Sequence, residues 1–169
     1  DFDVAGDADA DNVYDVVVEV SDGSLTDSQA IAVTVTPVND NAPTITSGAS
    51  AHVAENTTAV TTVTATDADL PAQTLTYAIT GGADAALFAI NATTGALSFL
   101  TAPDFDVAGD ADADNVYDVV VEVSDGTLTD SQAIAVTVTP ANDNAPTITS
   151  GAAFNVAENT TAVTTVTAT

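Results

Sequence analysis

Apolar and polar residues alternate along Val116-Tyr117-Asp118-Val119-Val120-Val121-Glu122-Val123. A period of two is that of a strand with one face buried. It turns Tyr117, Val119, Val121 and Val123 to one side, and Asp118 and Glu122 to the other. Ile134, Val136 and Val138 alternate in the same way with Ala133, Ala135, Thr137 and Thr139. Ser124, Asp125 and Gly126 open the connection between the two runs, which predicts a hairpin. Earlier strands are predicted at 46–54, 59–66, 74–80, 87–91 and 96–100, with a turn from Asn91 to Gly95. No stretch carries a helical period. Seven short strands in about 100 residues predict an all-β fold, a seven-stranded Greek-key β-sandwich of immunoglobulin-like architecture.

The pattern occurs almost twice. Residues 1–66 align without a gap with 104–169, at an offset of 103, and differ only at Ser24/Thr127, Val38/Ala141, Ser50/Ala153, Ala51/Phe154 and His52/Asn155. A period of this length exceeds a solenoid unit or a barrel hairpin and suits an independently folding domain. The strand patterns stop and resume at Asn-Asp-Asn-Ala-Pro, at 39–43 and again at 142–146. A frame set there gives the back part of one repeat (1–41), one complete repeat (42–143) and the front part of a third (144–169). The two end parts together lack any counterpart of 67–103. The chain is therefore expected to be an excerpt from a longer tandem array.

Composition sharpens this picture. There are 25 acidic residues, 21 of them Asp, with no Lys, no Arg and a formal net charge of -25. No carboxylate has a Lys or Arg to pair with, so backbone N–H groups, water or metal ions must balance the charge. Binding of DNA or RNA is excluded as an expectation, since no cation is on offer to a phosphate. At 46% hydrophobic residues the chain has enough apolar material for a core, so disorder is a poor reading. Cysteine is absent, and no apolar run approaches the length of a membrane span.

The acids fall on loops. The strand order puts Asp67, Asp69 and Asp125 at one end of the sandwich, and Glu55, Asp104, Asp106 and Asp143 at the other. In a tandem arrangement Asp1, Asp3 and Asp40 are expected to converge with Asp67, Asp69 and Asp125 around the linker. Carboxylates gathered in this way repel unless a counter-ion joins them. Calcium suits them, taking six to eight oxygens in flexible geometry; magnesium dehydrates reluctantly, and zinc lacks its Cys and His ligands.

Several motifs, in order and at matching spacing, resemble the cadherin repeat. They are Ala-Glu-Asn at 54–56, Thr-Ala-Thr-Asp-Ala-Asp at 64–69, Leu-Phe-Ala-Ile-Asn-Ala-Thr-Thr-Gly at 87–95, Asp-Phe-Asp at 104–106, Val-Ser-Asp-Gly at 123–126 and Asn-Asp-Asn-Ala-Pro at 142–146. The resemblance implies Ca²⁺ between successive repeats. At the first junction it implies Asp1, Asp3 and Asp40 as upstream ligands, Asp67, Asp69 and Asp125 as downstream ones, a side-chain oxygen from Asn39 and a backbone carbonyl from Asn41. At the second it implies Glu55, Asp104, Asp106, Asn142, Asp143 and Asn144. Departures are present. Pro37 and Pro140 stand where the family usually starts its linker with Asp, Asp3 and Asp106 replace a longer Glu, and there is no Trp for strand-swapped adhesion. The composition is similar to the repeats of very large bacterial surface proteins.

The resemblance implies an extracellular or cell-surface protein, bacterial by its composition. The expected function is a calcium-stiffened structural array, a stalk, spacer or fibre. The alternative is an adhesion module in which the repeats bind like copies. Partners on either reading are neighbouring repeats of the same chain and like chains; nothing points to an enzyme. Gly-Asp-Ala-Asp-Ala-Asp-Asn at 6–12 and 109–115 resembles the start of an EF-hand loop but has Val18 and Val121 where that loop ends in Glu, so a solvated loop and an extra ion site both stand. His52 is expected on the surface. Asn56, Asn91 and Asn159 fit the glycosylation sequon, and Asn56 and Asn159 also suit turns.

Overall fold

The structure is a computed structural model describing residues 1–169. Its strands are β1 (Val13–Ser21), β2 (Thr26–Thr34), β3 (Thr44–Ile45), β4 (Ser50–Ala54), β5 (Ala59–Thr62), β6 (Ala65–Thr66), β7 (Thr76–Gly81), β8 (Phe88–Ile90), β9 (Ala96–Phe99), β10 (Val116–Ser124) and β11 (Thr129–Thr139). One 3-10 turn, Ala85–Leu87, is the only helical element.

Residues 44–139 form a β-sandwich. One sheet has the order β4-β11-β10-β7, with β4 parallel to β11 and the other pairs antiparallel. The facing sheet has the order β5-β9-β8, and β3 pairs with β6 alongside. Each of the seven predicted strands is present. The second, expected over 59–66, is divided into β5 and β6, which pair with different strands, and the first, expected as continuous over 46–54, is divided too. Thr46 and Ser47 donate to Thr64 O on the β6 side, whereas Ala49 O accepts from Ala135 on β11. The chain changes sheets at Ser47-Gly48, so one strand closes an edge of both sheets, leaving fewer unpaired backbone groups.

Alternation decides the core. Tyr117, Val119, Val121 and Val123 are buried from β10, and Ile134, Val136 and Val138 from β11. They meet Val53, Val63, Phe88, Leu97 and Phe99. Burying each Val or Leu contributes about 1.5–3 kcal/mol. Phe88 stacks on Phe99 with centroids 4.5 Å apart, and Tyr117 meets Phe99 edge-on at 5.1 Å. The Tyr117 hydroxyl accepts the Gly109 N–H at 3.0 Å, giving its polar tip a partner and fixing the loop before β10.

Turn chemistry behaves as the residue types dictate. Asn91 Oδ1 accepts the N–H groups of Thr93 and Thr94, and Gly95 sits at φ 70°. A Cβ at Gly95 would lie 2.2 Å from Val63 O, so both the backbone angle and the space demand glycine. Asn56 and Asn159 adopt left-handed φ of 64° and 68°, as their expected turn roles require. His52 is exposed.

The flanking copies form only in part. β1 and β2 pair in the register of β10 and β11, Val13 opposite Thr34 as Val116 is opposite Thr137. No further strand joins them. Within 144–169, Ile148 bridges Ala168, repeating the β3–β6 contact of Ile45 with Ala65.

Candidate metal centres

The linker between β2 and β3 draws acids from both sides. Carboxylate oxygens of Asp3, Asp40 and Asp69 lie within 4.8 Å of one another, and so do those of Asp67, Asp69 and Asp125. Asp69, 1% exposed, belongs to both groups. Five of the six acids expected here are thus gathered. Asp1 stands outside the groups and accepts the Asp3 N–H at 3.1 Å.

The backbone fixes these side chains. Asp67 Oδ1 accepts the Asp69 N–H at 3.0 Å, and Asp3 Oδ1 accepts the Leu70 N–H at 2.8 Å. Asp125 Oδ1 takes the N–H groups of Thr127 and Leu128 at 2.7 and 2.8 Å. The Leu128 N–H above all holds Asp125 below the usual carboxylate value, keeping it charged. Asn41 donates its side-chain amide to Asp3, Asp40 and Asp69, and its backbone N–H to Asp69.

Two observations fit a cation. Asp67 Oδ2 is buried without a hydrogen-bond partner. The Asn39 side-chain oxygen faces Asp69 Oδ2 and Asp125 Oδ2, each 3.1 Å away. Three oxygens facing one another need either a rotated amide that donates or a positive ion among them. The donor set is entirely oxygen, of mixed charged and neutral type, which matches Ca²⁺ rather than zinc. Asp3, Asp40, Asp67, Asp69, Asp125 and the Asn39 oxygen would hold it. Asn41, expected to offer its backbone carbonyl, also orders the acids through its side-chain amide.

The opposite end repeats half of this pattern. Oxygens of Glu55, Asp106 and Asp143 lie within 4.8 Å. Glu55 is 3% exposed; Oε1 accepts the Ala141 N–H at 2.6 Å and Oε2 the Phe105 N–H at 2.7 Å. It ties together the segments that follow β9 and β11 as well as facing the cluster. Asn144 donates to Asp106 and Asp143 as Asn41 does to Asp3 and Asp40, and Asn56 donates to Asp143 at 2.6 Å. Asp104 accepts the Asp106 N–H at 3.0 Å outside the group, and Asn142 is exposed beside it.

Two further triads, Asp7/Asp9/Asp11 and Asp110/Asp112/Asp114, lie on the side loops. Asp110 is buried, which raises its pKa, but N–H groups of Asp114 and Asn115 outweigh that and hold it low. Asp112 is pushed up by its hydrogen bond with Asp110 and by the charge of Asp114. Asp84, which the strand pattern gave no reason to single out, anchors this loop. Its Oδ1 accepts the Ala111 N–H and its Oδ2 the Asp118 N–H, both at 2.8 Å. Only the turn signal Gly81-Gly82-Ala83-Asp84 marks the place in the sequence.

A β-sandwich with convergent acids at both poles and a short linker running through one of them defines the class: an all-β module with acidic ends. The chain belongs to the cadherin family, whose cadherin domain model matches residues 49–139. It is similar to the Cadherin EGF LAG seven-pass G-type receptor fmi-1 of Caenorhabditis elegans, 34% identical over 131 residues, covering 73% of this chain and 5% of the receptor. It is also similar to the human Cadherin EGF LAG seven-pass G-type receptor 2, 36% identical over 153 residues, covering 85% of this chain and 5% of that protein. Among solved structures, that of the protocadherin gammaB7 EC3-6 cis-dimer matches with a TM-score of 0.66 at 26% identity, over 82% of this chain and 36% of that one. The chain thus spans about a twentieth of its curated relatives' length. Cadherin domains are extracellular adhesion modules and not enzymes. No helix here is long and apolar enough to cross a membrane.

Proposed function

We propose that this chain is part of an extracellular array of β-sandwich repeats, joined end to end and stiffened by calcium, with 42–143 as one whole unit between partial units 1–41 and 144–169. The observation that carries the reading is Asp69, buried and shared between acids on opposite sides of the linker. Calcium bound there supplies positive charge that both repeats coordinate at once. The chain's own part is to present the oxygens. Backbone N–H groups orient Asp3, Asp67 and Asp125, and Pro37 and Pro43 restrict how the linker bends. With the charge balanced, binding free energy holds the angle between repeats; without it the acids repel and the linker flexes. Near-identity of the copies, the absence of Lys and Arg and the lack of Trp support a stalk, spacer or fibre of a large surface protein of the bacterial kind.

Small-angle scattering and thermal melting, in calcium and then in chelator, test this. Calcium is expected to lengthen the particle and raise the melting temperature; unchanged dimensions and melting refute it. The adhesive reading draws its support from the family and from the cis-dimer of the similar protocadherin. Under that reading beads coated with the chain clump in calcium and disperse in chelator.

A further inference from the structure

We propose that Asn12 and Asn115 are positioning residues for the junction acids: each holds the peptide unit that leads into Asp3 or Asp106, and so sets how tightly that pole takes calcium. This role rests on the calcium reading, in which Asp3 and Asp106 face the ion. The Asn12 side-chain amide donates to the Phe2 carbonyl at 3.0 Å, and the Asn115 amide donates to the Phe105 carbonyl at 3.0 Å. The other end of each peptide unit is held too. Asp1 Oδ1 accepts the Asp3 N–H at 3.1 Å, and Asp104 Oδ1 accepts the Asp106 N–H at 3.0 Å. A peptide unit is planar. Pinned at both its C=O and its N–H, it fixes the Cα from which the acid's side chain departs. Asp1 and Asp104, which stand outside the acid groups, thereby act on the acids inside them. Asp3 then reaches across the linker, where Oδ1 accepts the Leu70 N–H at 2.8 Å and Oδ2 the Asn41 amide at 3.3 Å.

The asparagines are themselves anchored to the sheets. The Asn12 N–H donates to Asp7 Oδ1 at 3.2 Å, and its carbonyl accepts the Val35 N–H at 2.9 Å. Asn115 makes the same pair with Asp110 and Val138, at 3.2 and 2.9 Å. The loop before each hairpin thus ties the hairpin to an acid of the joint. Both asparagines are left-handed, at φ 64°. That angle alone would suit glycine. Asparagine brings a side-chain oxygen that is buried without a partner in both copies, and an unpaired buried acceptor is unfavourable. The donated side-chain N–H is what sets asparagine apart from glycine here. The bond spans ten residues and has the same length in both copies, so it is encoded within the loop.

The test uses the full chain with Asn12→Gly and Asn115→Gly, which tolerate the backbone angle and remove the donor. The first readouts are taken in chelator by NMR. Asn12→Gly is expected to speed exchange of the Leu70 N–H ~10-fold, as Asp3 loses its place, and to leave the Asn144 side-chain amide signals unshifted. Asn115→Gly is expected to shift the Asn144 signals, which report Asp106, and to leave Leu70 exchange unchanged. Ala10→Gly adds backbone freedom to the first loop, at φ 59°, without removing a donor, and is expected to alter neither readout. In a calorimetric titration Asn12→Gly is expected to weaken the tightest calcium site, that of the first junction, ~10-fold, and Asn115→Gly to leave it unchanged. A variant that fails to move its own pole, one that moves both poles, or calcium bound as tightly by Asn12→Gly as by the unaltered chain overturns the proposal. If Asn12→Gly loosens β1 and β2, the Asn115→Gly arm decides, because β10 and β11 are held by the core. Each variant moving its own pole in chelator, with no calcium bound by the unaltered chain, would sink the calcium joint and leave the positioning of the acids standing.

Discussion

Asp69→Asn separates a metal joint from an ordinary hydrogen-bonded linker, because the two predict opposite signs. Asp69 shares space with Asp3 and Asp40 on one side and Asp67 and Asp125 on the other, oxygens within 4.8 Å. A pair of unit charges at that separation repels by about 3.5 kcal/mol at an effective dielectric near 20. Salt and the exposure of Asp40 reduce this. Asparagine keeps one oxygen for Asn41 and exchanges the other for an amide, which costs about 1 kcal/mol in lost hydrogen bonding. In chelator the net change is then stabilising, on the order of 2 kcal/mol. For a sandwich of this size that is a rise in melting temperature of roughly 10 °C.

In calcium the same substitution removes the charge that both groups share. A 100-fold weaker affinity forfeits up to about 2.7 kcal/mol of ligand-linked stability, so the melting temperature falls relative to the unaltered chain. Differential scanning calorimetry in the two buffers reads both signs. A fall of equal size in calcium and in chelator would refute the reasoning, leaving Asp69 as only an acceptor for Asn41.

Asp84→Ala leaves the N–H groups of Ala111 and Asp118 without their acceptor, and urea denaturation is expected to lose about 3 kcal/mol. On the same loop, pH separates two neighbours. Asp110 is held below the ordinary carboxylate value, so its contribution is complete above that value and is lost as pH falls through its lowered one. Asp112 is raised, so it opposes folding at neutral pH and ceases to as pH falls through its raised value. Asp112→Asn is therefore expected to stabilise at about pH 7 and to have no effect at about pH 3, whereas Asp110→Asn destabilises at about pH 7 and loses that effect in strong acid; melting curves across pH check both.

The strands were legible because both faces of this fold leave a period-two trace. Val119, Val121, Ile134 and Val136 are buried where alternation placed them. The division of the first strand was not legible. Ser47-Gly48 reads as a continuation until the pairing of Thr46 with Thr64 and of Ala49 with Ala135 is seen, and such pairing is long-range. Asp84 was invisible for the same reason. Its role depends on N–H groups 27 and 34 residues away, and nothing local distinguishes it from a turn aspartate. The polar ends were readable in outline, since motif order put Asp67, Asp69 and Asp125 on adjacent loops. The amide contacts of Asn41 were not. Sequence spacing says that it is near the acids but not which of its atoms faces them.

That detail bears on how a chain without Lys or Arg handles its charge. Side-chain amides and backbone N–H groups are its abundant donors, and the structure spends them on orientation. Asn41 and Asn144 each touch an Asp from the preceding loop and the Asp beside them in the linker. Glu55, by contrast, is satisfied at both oxygens by backbone N–H groups. These bonds fix where the carboxylates point but deliver no net positive charge. The acids are thus ordered without a matching positive charge, and on the proposed reading the stiffness of the joint is set by what the solvent supplies. Replacing Asn41 by Asp would test that division of labour. It removes an orienting donor and adds a like charge, so the joint should slacken more in chelator than in calcium, as scattering would record.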